Sequence, residues 1–112
     1  MKTRHVTLSP QASLSLRLFA GLIEEGRLRK GWTRDELAER VGVGVVTMRQ
    51  VAKGSPRVAI GTYFEAAALV GASLFTDDPG TLKREHATQL ERLALLPKRA
   101  RGQPQEPIDD DF

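Results

Sequence analysis

The sequence predicts an all-α fold of five helices with a flexible C-terminal tail. Three observations carry that prediction. Cap-and-proline starts stand at Ser9-Pro10 and Asp78-Pro79, and the capping box Thr33-Arg34-Asp35-Glu36 stands between them. Glycine follows four of the apolar stretches, at Gly31, Gly42, Gly54 and Gly71. Within the stretches, apolar residues recur at intervals of three and four, the period of a helix face.

The first helix is expected from Pro10 to about Lys30, with Leu14, Leu18 and Leu22 on its apolar face and Phe19 and Ile23 beside them. Gly21 and Gly26 weaken it, each by about 1 kcal/mol relative to alanine where exposed. The second spans about 33–41 and buries Leu37, Ala38 and Val41; Gly42 breaks it. The third spans about 44–53, buries Met48 and Val51 and stops at Gly54, after which Pro56 opposes continuation. A fourth runs from about 60 to 70 with Ile60, Phe64, Ala67 and Leu69 as its apolar residues. A fifth runs from Asp78-Pro79 to about Leu96, with Leu82, His86, Leu90, Leu93 and Leu96 near one face, before Pro97. Residues 1–8 read as a strand stub or an arm. The folded domain is therefore placed at 9–96 and the flexible tail at 97–112.

The 112 residues carry a net charge of +3, unevenly spread. All 17 Lys and Arg lie within residues 1–101 with ten of the 14 acids, so this body carries +7 and the last eleven residues −4. A basic body favours a polyanionic partner. There is no cysteine, which removes disulfides and thiolate metal sites. No apolar run reaches the roughly 18 residues of a membrane span, and the first ten residues lack the apolar stretch of a secretory signal. A cytoplasmic protein without membrane attachment is expected.

The chemistry-bearing stretch is 33–54. Two short helices joined by a glycine turn need a small residue where they meet, a residue free to turn, and buried aliphatics to lock the angle. Ala38, Gly42, and Leu37, Val41, Met48 and Val51 meet those needs. Leu22, Ile23 and Leu28 of the preceding helix supply the rest of the core, with Trp32 over its edge. Such a pair can lay its second helix in the DNA major groove while the first crosses the backbone.

With GWTRDELAERVGVGVVTMRQVAKG followed by IGTYFEAAALVGASL, residues 18–75 resemble the helix-turn-helix domain of the Cro and phage-repressor type, the XRE family. The resemblance implies a sequence-specific transcriptional regulator, a repressor, that binds palindromic double-stranded DNA as a homodimer. Its implied DNA-binding residues are Thr33, Arg34, Val45, Val46, Thr47, Arg49, Gln50, Lys53, Ser55 and Arg57. Arg34 is expected on phosphate, Val45, Val46, Thr47, Arg49 and Gln50 toward the groove, and Lys53, Ser55 and Arg57 on the flanking backbone. Arginine pairs with guanine and glutamine with adenine, whereas a valine can only pack on a thymine methyl.

The ending LALLPKRARGQPQEPIDDDF is similar to the tails of HipB-like antitoxins, which accompany HipA-type toxin kinases. That resemblance implies a toxin-kinase partner; a tail that orders on it would seat Ile108 and Phe112 in apolar pockets and Asp109, Asp110 and Asp111 on a basic rim, the alternative being a solubilising tail without a partner. A partner-sequestering inhibitor with DNA binding secondary, and a free-standing regulator without a toxin, are the alternatives.

Catalysis is not expected. His5 and His86 are isolated, and neither a nucleophile motif nor a phosphate loop is present. Glu24-Glu25 is assigned to a helix surface and Asp77-Asp78 to a helix start. No metal and no cofactor are assigned.

Overall fold

The computed structural model describes residues 7–99. Among them are five α-helices and no strand: α1 Pro10–Lys30, α2 Arg34–Val41, α3 Val45–Lys53, α4 Ile60–Val70 and α5 Pro79–Ala94. Two compact units divide these residues, with α1–α4 in the first, through Asp77, and α5 in the second. Residues 7–9 are irregular, and no described helix is long and apolar enough to cross a membrane.

The helix boundaries follow local capping chemistry. Ser9 accepts the amide of Ala12 at 3.1 Å, with Pro10 at the first helical position of α1. Thr33 accepts the amide of Glu36 at 3.0 Å, and Glu36 accepts the amide of Thr33 at 2.7 Å, closing the capping box of α2. Gly42 ends α2 in the left-handed region at φ 90°, where an L side chain would be strained. Its amide and that of Val43 both donate to the carbonyl of Ala38, at 2.8 and 3.0 Å, so the turn into α3 is closed from within.

In the first unit, α1 packs on α3 and α4, and α2 on α3 and α4. The core holds Phe19, Ala20, Ile23, Leu37, Ala38, Met48, Val51, Tyr63, Ala66, Ala67 and Val70, with Trp32 and Val41 partly buried against it. Leu37, Ala38, Met48 and Val51 thus occupy the positions expected of them.

The buried faces of α1 and α4 differ from expectation. Phe19 and Ile23 are buried as expected, but Leu14, Leu18 and Leu28 are exposed, and Ala20 and Gly26 complete the buried face of α1. The reason is close approach. A Cβ on Gly26 would come within 2.6 Å of Val70 Cγ2 and 2.7 Å of its carbonyl oxygen. Only a face carrying small residues lets α4 come that near, and the leucine stripe is displaced around the helix. Leu18 and Leu22 line an open apolar groove of about 670 Å³ with Leu16, Phe19 and Leu74. On α4, Ile60 and Phe64 are exposed and Leu69 half-buried, while Tyr63, Ala66, Ala67 and Val70 face inward. Alanine again occupies the contact face.

In the second unit, α5 is capped by Asp78, whose carboxylate accepts the amide of Thr81 at 2.9 Å and its hydroxyl at 2.7 Å. These bonds hold the Asp78 carboxyl below its ordinary range. The helix ends at Ala94, two residues short of the expected Leu96, and contains no buried residue. Leu82, Leu90 and Leu93 are all exposed.

Candidate nucleic-acid interface

The outer face of α3 is built by the inward pull of Met48 and Val51, exposed to 2% and 1%. At about 100° per residue, fixing those two inward turns Val46, Arg49, Gln50 and Lys53 to the opposite side and leaves Val45 and Thr47 at its two margins. The accessibilities agree: Val45, Val46, Arg49 and Lys53 are exposed and Gln50 is half-buried. Thr47 lies toward the buried side and is itself half-buried. The structure therefore brings four of the six expected α3 residues, Val46, Arg49, Gln50 and Lys53, onto one face, with Val45 exposed at one margin and Thr47 half-buried at the other.

Gly44 precedes α3 and has no side chain to cap it. The first-turn amides and the positive end of the helix dipole are left for an outside acceptor. Arg49, Lys53 and Arg57 are exposed, and among the described residues none is paired with a carboxylate.

The segment after α3 is held on both sides. Gly54 ends the helix at φ 74°, and a Cβ there would meet Arg17 of α1 at 2.8 Å from Cγ and 3.0 Å from Cα. Ser55 donates its amide to the Gln50 carbonyl at 3.0 Å, and its hydroxyl accepts the amide of Arg57 at 3.1 Å. Tyr63, buried in α4, donates its hydroxyl to the Ser55 carbonyl at 2.7 Å. Burial pushes this phenol up to about 12, so it remains a donor across the neutral range. Ser55 and Arg57 are thus carried by an anchored loop, directly after Lys53 at the end of α3.

The start of α2 is organised by residues that spacing alone does not mark. One carboxylate oxygen of Glu24 accepts from Arg27 and, at 3.2 Å, from Arg34. Arg27 also donates to the Trp32 carbonyl at 2.6 Å. Arg40 lies 4.1 Å and Lys30 5.6 Å from the centroid of the Trp32 ring, two cation–π contacts at this corner. Burial pushes the Glu24 carboxyl up, but its bonds and charge contacts with Arg27 and Arg34 outweigh that and hold it below the ordinary glutamate range. Glu24 is therefore half-buried and shared between two arginines, and not the simple surface acid expected; Glu25 fits that description. The Glu24–Arg27 spacing of three was visible in the sequence, whereas Arg34, ten residues on, was not tied to it by any local pattern.

No family model, curated protein or solved structure matches the chain.

The arrangement can do one thing well: present cations and hydrogen-bonding groups on a short helix backed by a packed core. Thr33 is exposed but its hydroxyl is committed to the capping box. Ile108, Asp109, Asp110, Asp111 and Phe112 lie outside the described residues.

Proposed function

We propose that this chain is a sequence-specific DNA-binding regulator that reads the major groove with α3. The observation that carries the reading is the outer face of α3, where Arg49 and Gln50 stand beside Val45 and Val46 with the unpaired cations Lys53 and Arg57 at its C-terminal flank. Arg49 supplies a guanine-reading fork, Gln50 an adenine-reading amide, and the valines apolar surface for thymine methyls. Arg34, at the first position of α2, and the anchored loop 54–57 supply the phosphate contacts that set register. The two-helix element of α2, the Gly42 turn and α3 is thus a helix-turn-helix of the phage-repressor type.

A single nine-residue helix contacts too few bases for a useful specificity ratio. The protein therefore works as a homodimer on a palindromic site, its two α3 helices about 34 Å apart, one turn of DNA. Exposed Leu82, Leu90 and Leu93 make α5 the interface between copies.

The test is a binding titration on duplexes selected from a randomised pool, repeated across salt. The reading expects enrichment of a palindromic sequence and an affinity that falls steeply with salt, since each neutralised phosphate contributes a slope of about −0.9. Failure to enrich any sequence contradicts it.

A further inference from the structure

We propose that Glu24 is a positioning residue for Arg34, holding one edge of its guanidinium so that the other edge is set to receive a backbone phosphate of duplex DNA. This rests on the DNA-binding reading above. The pieces form a continuous chain. The Trp32 carbonyl, in the link between α1 and α2, accepts Arg27 at 2.6 Å. Arg27, with only 11% of its side chain exposed, grips the Glu24 carboxylate. Glu24, 26% exposed, holds Arg34 Nη2 at 3.2 Å. Arg34 is 49% exposed, so burial falls off from the anchored end to the open end.

The acceptor is fixed by an arginine that is itself fixed by the main chain, so the carboxylate is a rigid post. Arg34 carries five N–H donors in a planar fork, and one of its terminal nitrogens is on Glu24. Half of the Arg34 side chain remains exposed at the first position of α2, the place where a crossing helix meets the DNA backbone. A guanidinium held this way loses less rotamer freedom when a phosphate arrives. Arg34 also stands at the positive end of the α2 dipole, where a cation is disfavoured; the Glu24 carboxylate offsets that.

Positioning and simple charge predict opposite signs. Glu24→Gln removes a negative charge near the polyanion, and bulk electrostatics alone makes binding tighter. If Glu24 positions Arg34, binding becomes weaker, because a neutral amide oxygen lacks the negative charge that holds two guanidinium groups on one acceptor.

The experiment is a four-protein cycle of wild type, Glu24→Gln, Arg34→Ala and the double variant, titrated with one duplex at one salt concentration. Circular dichroism melts verify that each is folded at the assay temperature. The expected result is a loss of about three- to tenfold for Glu24→Gln when Arg34 is present, the size typical of contacting residues, and no loss when Arg34 is alanine. Equal or tighter binding by Glu24→Gln in the Arg34 background overturns the proposal. An equal loss in both backgrounds also overturns it, by showing a role in the fold alone. Failure of the wild type to bind any duplex is a different result, and it removes the functional reading itself.

Discussion

The hydroxyl of Tyr63 in α4 donates to the Ser55 carbonyl at 2.7 Å, tying the first turn of one helix to the loop that leaves another. The phenol is 1% exposed, and a buried hydroxyl without a partner is costly, so this bond both satisfies Tyr63 and fixes the loop carrying Arg57. Tyr63→Phe should lower stability by about 1 kcal/mol in denaturant unfolding.

The same burial gives an alkaline signature. The folded phenol titrates near 12, above its ordinary 10, so the fold favours the protonated form. Its contribution to stability is present below about pH 10 and is lost as pH rises through 12. The chain has one tyrosine, so phenolate absorbance reads this group directly. A midpoint near 12 in the folded protein, falling to about 10 in denaturant, is expected; the same midpoint in both states would show the phenol is not buried.

Two glycines of α1 should respond to alanine with opposite signs. Nothing lies within 4 Å of a Cβ built on Gly21, so Gly21→Ala should stabilise by up to about 1 kcal/mol through helix propensity. Gly26→Ala forces a methyl against the side chain and carbonyl of Val70, and should destabilise by about 1–3 kcal/mol. Thermal melts of the two variants side by side decide this; equal shifts would mean that α1 and α4 are not in close contact.

Acid should weaken the corner between α1 and α2. Arg27 and Arg34 hold the folded Glu24 carboxyl low against the upward push of its burial. With a depressed folded value, the stabilisation is present above the ordinary glutamate range and disappears as pH falls through the folded value. Wild type should melt higher than Glu24→Gln at neutral pH, and the two should converge in acid. A constant difference at every pH would place the effect of Glu24 elsewhere than in its charge.

Light scattering at micromolar concentration should return about twice the 12.3 kDa chain mass, with Leu90→Glu or Leu93→Glu returning the single-chain value. A monomer in both the presence and absence of DNA contradicts the homodimer.

Helix limits were legible in the sequence because caps are local chemistry. Ser9-Pro10, the Thr33–Glu36 box, Asp78-Pro79 and the four terminating glycines act on amides and carbonyls within a few residues. Hydrophobicity marked Phe19 and Ile23 of the inward face of α1 but not the small residues beside them. Leu14 and Leu18 are more apolar than Ala20 and Gly26, yet the contact with Val70 selects small residues, and Val70 is 44 positions beyond Gly26. The outward face of α3 was readable because Met48 and Val51 sit in a short helix with few alternatives. The Glu24–Arg34 pair was not, because it joins two helices across a turn.

Base reading by α3 and phosphate binding by Arg34 are separated by comparing one selected duplex with a scrambled one. Wild type, Arg34→Ala, Arg49→Ala and Gln50→Ala are each titrated with both. Arg34→Ala should weaken binding to the two duplexes alike and reduce the salt slope by about one. Arg49→Ala and Gln50→Ala should each lose about 1–3 kcal/mol on the selected duplex and little on the scrambled one. Equal losses on both duplexes for all three variants would contradict base reading by α3.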